Sequence, residues 1–116
     1  MATREKILDT ALTLFNKDGT AAVSTNHIAE AAGISPGNLY YHFHNKEEII
    51  RELFQRLYMA WDTELQVSNP NTIQLEDINH IVEANYQIIW RYRFAYRELT
   101  ALLRRLLRWR RRSVQR

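Results

Sequence analysis

Breakers of regular structure are unevenly spread along this 116-residue chain: Gly19, Gly33, Pro36 and Gly37 fall in the first third, and only Pro70 follows. Glycine and proline are the strongest local punctuation a sequence carries. Short helices near the N-terminus, followed by long ones, are the consequence. No segment alternates apolar and polar residues as a half-buried strand would, and no internal repeat is present. The expected fold class is all-α.

After Thr3, the expected N-cap, Ile7, Leu8, Ala11, Leu12 and Phe15 recur at helical spacing until Gly19 can close the helix. Thr25 is placed to cap a second helix, "NHIAEAA", in which Ile28 and Ala32 lie four apart before Gly33. Ser35 with Pro36 is a cap followed by proline at the first helical position, opening a third helix over 36–43 with Leu39 and Phe43 one turn apart. Asn45 and Glu48 resemble a capping box, and Glu47 and Glu48 stand where the helix dipole favours negative charge. Ile49, Ile50, Leu53, Leu57, Ala60, Trp61 and Leu65 then mark one face of a long fourth helix. The stretch "SNPNT", 68–72, reads as a linker and a candidate domain boundary. Beyond it Leu75, Ile78, Ile81, Val82 and Ile89 continue a helical pattern, with a break expected near Arg93 to Tyr96 to give a fifth and a sixth helix.

On a third helix starting at Pro36, steps of about 100° per residue put Tyr41 opposite the Leu39–Phe43 face, beside Gly37 and Asn38, with Tyr40 and His42 on the flanks. The short connection "GIS" has the length and chemistry of a helix-turn-helix, whose second helix can enter a DNA major groove. Asn38 can bond a base edge or a phosphate, and the tyrosines can bond phosphate or pack on a thymine methyl. Gly37 removes a side chain where backbone must come close. Thr25 and Asn26 stand at a helix N-terminus, whose free N–H groups favour an anion.

The stretch "ILDTALTLFNKDGTAAVSTNHIAEAAGISPGNLYYHFHNKEEII" resembles the DNA-binding head of the tetracycline-repressor (TetR) family of transcriptional regulators. The pieces that carry the likeness are the "IA..AGIS.G.LY.HF..KEE.I" spacing and the preceding "A..LF...G". The resemblance extends to about residue 60. It implies a helix-turn-helix DNA-binding domain over 1–45, with the motif at about 24–43, then a connecting helix and a partial regulatory and dimerisation domain over 46–116. Carried over by position, the DNA-contacting residues are Thr25, Asn26, Pro36, Gly37, Asn38, Tyr40, Tyr41, His42 and Lys46. The implied function is a sequence-specific repressor that binds double-stranded DNA at a palindromic operator, as a homodimer, under a small-molecule effector. The implied regulatory domain is incomplete, and "LLRWRRRSVQR" reads as a truncated or frameshifted end.

Charge refines this. Residues 1–50 hold four Lys and Arg against six Asp and Glu, and residues 51–90 hold two against six, whereas residues 91–116 hold ten arginines against Glu98 alone. The net charge of +3 is therefore a property of the C-terminal end. A second function class follows, a basic amphipathic helix binding an anionic membrane or partner through residues 91–116: Leu99, Leu102, Leu103, Leu106 and Leu107 on one face, Arg97, Arg104, Arg105, Arg108 and Arg112 opposite, and Arg110 intruding into the stripe. Catalysis is not expected, because no phosphate-cradling glycine loop, GxSxG or HExxH is present. Neither a cofactor nor a metal is expected. Cysteine is absent, and His42 and His44, two residues apart, point in different directions. With no secretory signal and no membrane-length apolar run, a cytoplasmic location is expected.

Overall fold

The computed structural model describes residues 2–67 and 69–114, without the side chains of 102, 105, 106, 109, 110 and 112–114. Among the described residues six helices follow one another: α1 (Thr3–Asp18), α2 (Thr25–Ala32), α3 (Pro36–His42), α4 (Lys46–Glu64), α5 (Leu75–Arg91) and α6 (Arg93–Val114). Among the described residues there is no strand.

The apolar stripe of α1 is buried in full, with Ile7, Leu8, Ala11 and Phe15 wholly inaccessible. Around it close Ile28 and Ala29 of α2, Leu39 of α3, Phe43, and Ile49 and Leu53 of α4. Phe94 enters the same core from α6 and meets Phe15 at 5.5 Å between ring centres. A full side chain of this size contributes about 3–5 kcal/mol by burial and packing. Partly exposed ion pairs, Arg56–Asp9 at 3.0 Å and Arg4–Glu52 at 3.3 Å, join α4 to α1 and add at most about 1 kcal/mol each.

The long helices behave differently. On α5 only Ala84 and Ile88 are buried, whereas Leu75, Ile78, Val82, Tyr86 and Ile89 form an exposed stripe. Leu99, Leu103 and Leu107 do the same on α6, while the expected stripe positions Leu102 and Leu106, and Arg105, Arg110 and Arg112, lie outside the described side chains. The assembly is flat, 53 × 52 × 21 Å, about two helix diameters thick.

Helix ends depart from expectation in three places. Thr3 is the first helical residue of α1 and Ala2 the cap, with no side-chain bond. Threonine there gains nothing, because its hydroxyl is not ahead of the free N–H groups. The α5–α6 break falls at Tyr92, next to Arg93, and its cause is distant: the Phe94 N–H donates to Asn16 Oδ1 at 3.1 Å, and Asn16 Nδ2 donates to the Arg91 carbonyl at 2.8 Å. Asn16 thus serves both loose ends of the break from α1. At the linker, Ser68 lies outside the described residues, and a turn follows in which the Thr72 N–H donates to the Asn69 carbonyl at 3.1 Å. The other two departures are at the starts of α2 and α4.

Candidate nucleic-acid interface

Ser24, not Thr25, caps α2. Its hydroxyl accepts from the His27 N–H at 3.1 Å, and His27 Nδ1 accepts from the Ser24 N–H at 3.4 Å, a reciprocal cap in which histidine takes the place usual for Glu or Gln. Thr25 is consequently the first helical residue, half-buried, and Asn26 the second, exposed. At the other end Gly33 adopts φ 71° and ψ 32°, the left-handed conformation that glycine enters without strain. There the Gly33 N–H bonds the Glu30 carbonyl and the Ile34 N–H the Ala29 carbonyl, so α2 ends in a Schellman turn. Ser35 then caps α3 by accepting from the Asn38 N–H at 3.0 Å, with Pro36 at the first turn.

Leu39 and Phe43 root α3 in the core at 2% and 3% exposure, which fixes its rotation. Tyr41 stands out at 81% exposure and Tyr40 at 59%; Pro36, Gly37 and Asn38 are exposed and His42 is half-buried. Edge-to-face ring contacts steady both tyrosines, Tyr41 on His42 at 5.2 Å and Tyr40 on His44 at 5.1 Å. Residues 31–45 contain no Asp, Glu, Lys or Arg, so this face reads through neutral hydrogen-bonding groups.

Lys46, carried over from the family pattern as a DNA contact, has its Nζ donating to the carbonyls of Thr20 at 2.6 Å and Val23 at 3.0 Å, folded back on the α1–α2 connection. The cap of α4 is also rearranged. Asn45 Oδ1 accepts from the Glu48 N–H at 2.9 Å, but Glu48 returns its carboxylate to the N–H of His44, not of Asn45. That backbone bond, joined by the His44 ring, holds the Glu48 carboxyl below its ordinary value, against the opposing effect of desolvation.

Behind the head, Phe54, Tyr58 and Trp61 of α4 and Ala95, Tyr96 and Leu99 of α6 line an apolar groove of about 270 Å³. The Tyr96 hydroxyl is buried there with no hydrogen-bond partner among the described residues, and burial raises it above its ordinary value. Among the described residues no helix is long and apolar enough to cross a membrane.

Residues 7–53 match the family model for bacterial regulatory proteins of the tetR family, and residues 56–113, half the chain, match the model for a bacterial transcriptional repressor. The chain belongs to the TetR family of bacterial regulators. That family consists of transcriptional regulators rather than enzymes. The second match runs to residue 113, so most of "LLRWRRRSVQR", expected to depart from the family, lies within it, and the membrane-binding alternative for 91–116 is not favoured. A TetR-family transcriptional regulator from Marinobacter aquaeolei VT8 superimposes with a TM-score of 0.82 at 43% identity, over 99% of this chain and 57% of that one. The HTH-type transcriptional regulator AcrR of Shigella flexneri is 38% identical over 74 residues, 64% of this chain and 30% of AcrR. The negative regulator of the biofilm operon icaADBC in Staphylococcus epidermidis, IcaR, is 29% identical over 91 residues, 78% of this chain and 45% of IcaR. The chain thus spans less than half the length of these two curated TetR-family relatives.

Proposed function

We propose that this chain is a sequence-specific DNA-binding repressor that reads the major groove with α3 and acts in the cytoplasm. The observation that carries the reading is the neutral, exposed face of Gly37, Asn38, Tyr40 and Tyr41 on a helix whose rotation is fixed by Leu39 and Phe43. Base edges are read by such groups, and phosphates position the protein. Residues 1–45 form the reading head and residues from 46 onward the connecting and regulatory part. Thr25 and Asn26 anchor phosphate at the α2 N-terminus, with Pro36 and His42 bordering the reading face. Two copies on a palindrome place two heads about one helical turn of DNA apart. A small apolar effector would meet the chain in the α4–α6 groove, between Phe54, Tyr58 and Trp61 of α4 and Ala95, Tyr96 and Leu99 of α6.

The test is selection from a random duplex pool with the full chain, followed by titration of the enriched duplex. A palindromic motif bound at least tenfold less well by Tyr41→Ala is the expected result. No enrichment, or enrichment indifferent to Tyr41, would refute the reading.

A further inference from the structure

The connection between α1 and α2 is gripped from two sides. The Thr20 N–H and hydroxyl both donate to Glu98 Oε1 of α6, at 2.9 and 2.6 Å. The carbonyls of Thr20 and Val23 both accept from Lys46 Nζ. Each bond has one ionised partner, the kind of hydrogen bond roughly twice as strong as a neutral one. Glu98 is itself steadied, because the neighbouring Arg97 donates to the Asn16 carbonyl at 2.6 Å and pins the second turn of α6 to the end of α1.

What the grip controls follows from where it sits. Val23 immediately precedes Ser24, the cap of α2, and Lys46 opens α4, just after α3 leaves the reading face. The Lys46–Val23 bond therefore joins the entry of the helix-turn-helix to its exit. We propose that Lys46 and Glu98 are positioning residues for DNA reading: through Thr20 and Val23 they set the N-terminus of α2 against α3, and neither touches DNA. This rests on the DNA-binding reading above, and it differs from the family pattern, which implies Lys46 as a contact to DNA.

Two electrostatic signatures separate the roles. If Lys46 bonded a phosphate, removing its charge would lower the salt slope of binding by about 1, whereas removing a positioning bond weakens binding at unchanged slope. Removing the negative charge of Glu98 should tighten DNA binding if charge alone matters; as a positioning residue its loss should weaken it. The experiment uses the full chain, the duplex enriched by selection, and the variants Lys46→Met, Glu98→Ala and Glu98→Gln, with amide hydrogen exchange on each. Expected are about tenfold weaker binding for Lys46→Met and Glu98→Ala at unchanged salt slope, and partial recovery in Glu98→Gln, which keeps an acceptor. Amides of residues 25–32 should exchange faster while those of 11–15 in α1 keep their protection. Tighter or equal binding by Glu98→Ala, a slope lowered by about 1 in Lys46→Met, or unchanged exchange in α2 would each overturn the proposal. Should Glu98→Ala lose protection in α1 as well, Thr20→Val, which removes only the hydroxyl bond to Glu98, decides in its place; should Lys46→Met do so, Lys46→Gln, which drops the charge but keeps N–H donors, decides for Lys46. Weaker binding at unchanged salt slope is expected of each, and unchanged binding by Thr20→Val or a slope lowered by about 1 in Lys46→Gln overturns the proposal. Should no duplex be enriched, the DNA-binding reading fails, and the exchange of α2 alone judges the grip.

Discussion

Gly37→Ala separates what the protein requires from what its partner requires. Gly37 is the second residue of α3 and does not have positive φ; only Gly19 and Gly33 do. A Cβ at Gly37 would meet nothing nearer than Ser35 Oγ at 4.0 Å, an ordinary van der Waals distance. Nothing within the chain therefore asks for glycine. Alanine there should stabilise by about 0.5 kcal/mol, chiefly by narrowing the unfolded ensemble. That is a rise of about 0.3–0.5 M in the urea midpoint at a slope of ~1–2 kcal/mol/M. On the selected duplex the added methyl stands on the face that must approach the groove, and disrupting one good base contact costs about 1–3 kcal/mol, about fivefold or more in Kd. The assay is paired: urea unfolding followed by circular dichroism, and fluorescence anisotropy on labelled duplex. A variant that is more stable and binds as well as the parent would show that DNA does not come close to Gly37. One that is less stable would show that the backbone at Gly37 requires glycine after all.

Asn16→Ala should destabilise by about 2–4 kcal/mol, since it strands a buried N–H and a carbonyl at the α5–α6 break; a loss well under about 1 kcal/mol in urea melts would contradict the two-bond account. Tyr41→Ala should leave the thermal midpoint nearly unchanged, while Phe43→Ala costs about 3 kcal/mol of stability. Comparable melting shifts would mean that α3 is rotated from its described position. Ser24→Ala should cost about 1 kcal/mol and Thr25→Ala clearly less, the reverse order placing the cap one residue later. The Glu48 carboxyl lies below its ordinary value of 4.5, so its contribution is complete above that pH and disappears as pH falls through the lower folded value. In an acid titration of stability, Glu48→Gln should flatten that limb alone, and an unaltered limb would deny Glu48 the role.

The head is legible in the sequence because its determinants are local. Ser35, Pro36, Leu39 and Phe43 lie within nine residues of one another, so a cap, a proline and one helical turn suffice to orient Tyr41 outward. Expectation and structure part where two local solutions compete. Ser24 and Thr25 are adjacent hydroxyl residues, and the partner that favours Ser24 is His27, which the usual capping pattern does not include. Asn16 falls four residues after Leu12 on the buried stripe, a signal that it is enclosed, but its partners lie more than seventy residues away. The turn at Tyr92 and the grip of Lys46 and Glu98 are set by such distant partners, and no local periodicity encodes them.

The flatness of the fold bears on its heat capacity. A compact monomer of this length exposes about 6,600 Å². This chain exposes 8819 Å², with the apolar stripes of α5 and α6 already in water. Unfolding thus uncovers less new apolar surface than it would in a rounder protein, and both the heat-capacity increment and the denaturant slope scale with that surface. Stability should therefore vary little with temperature around its maximum, and its fall with denaturant should be shallow.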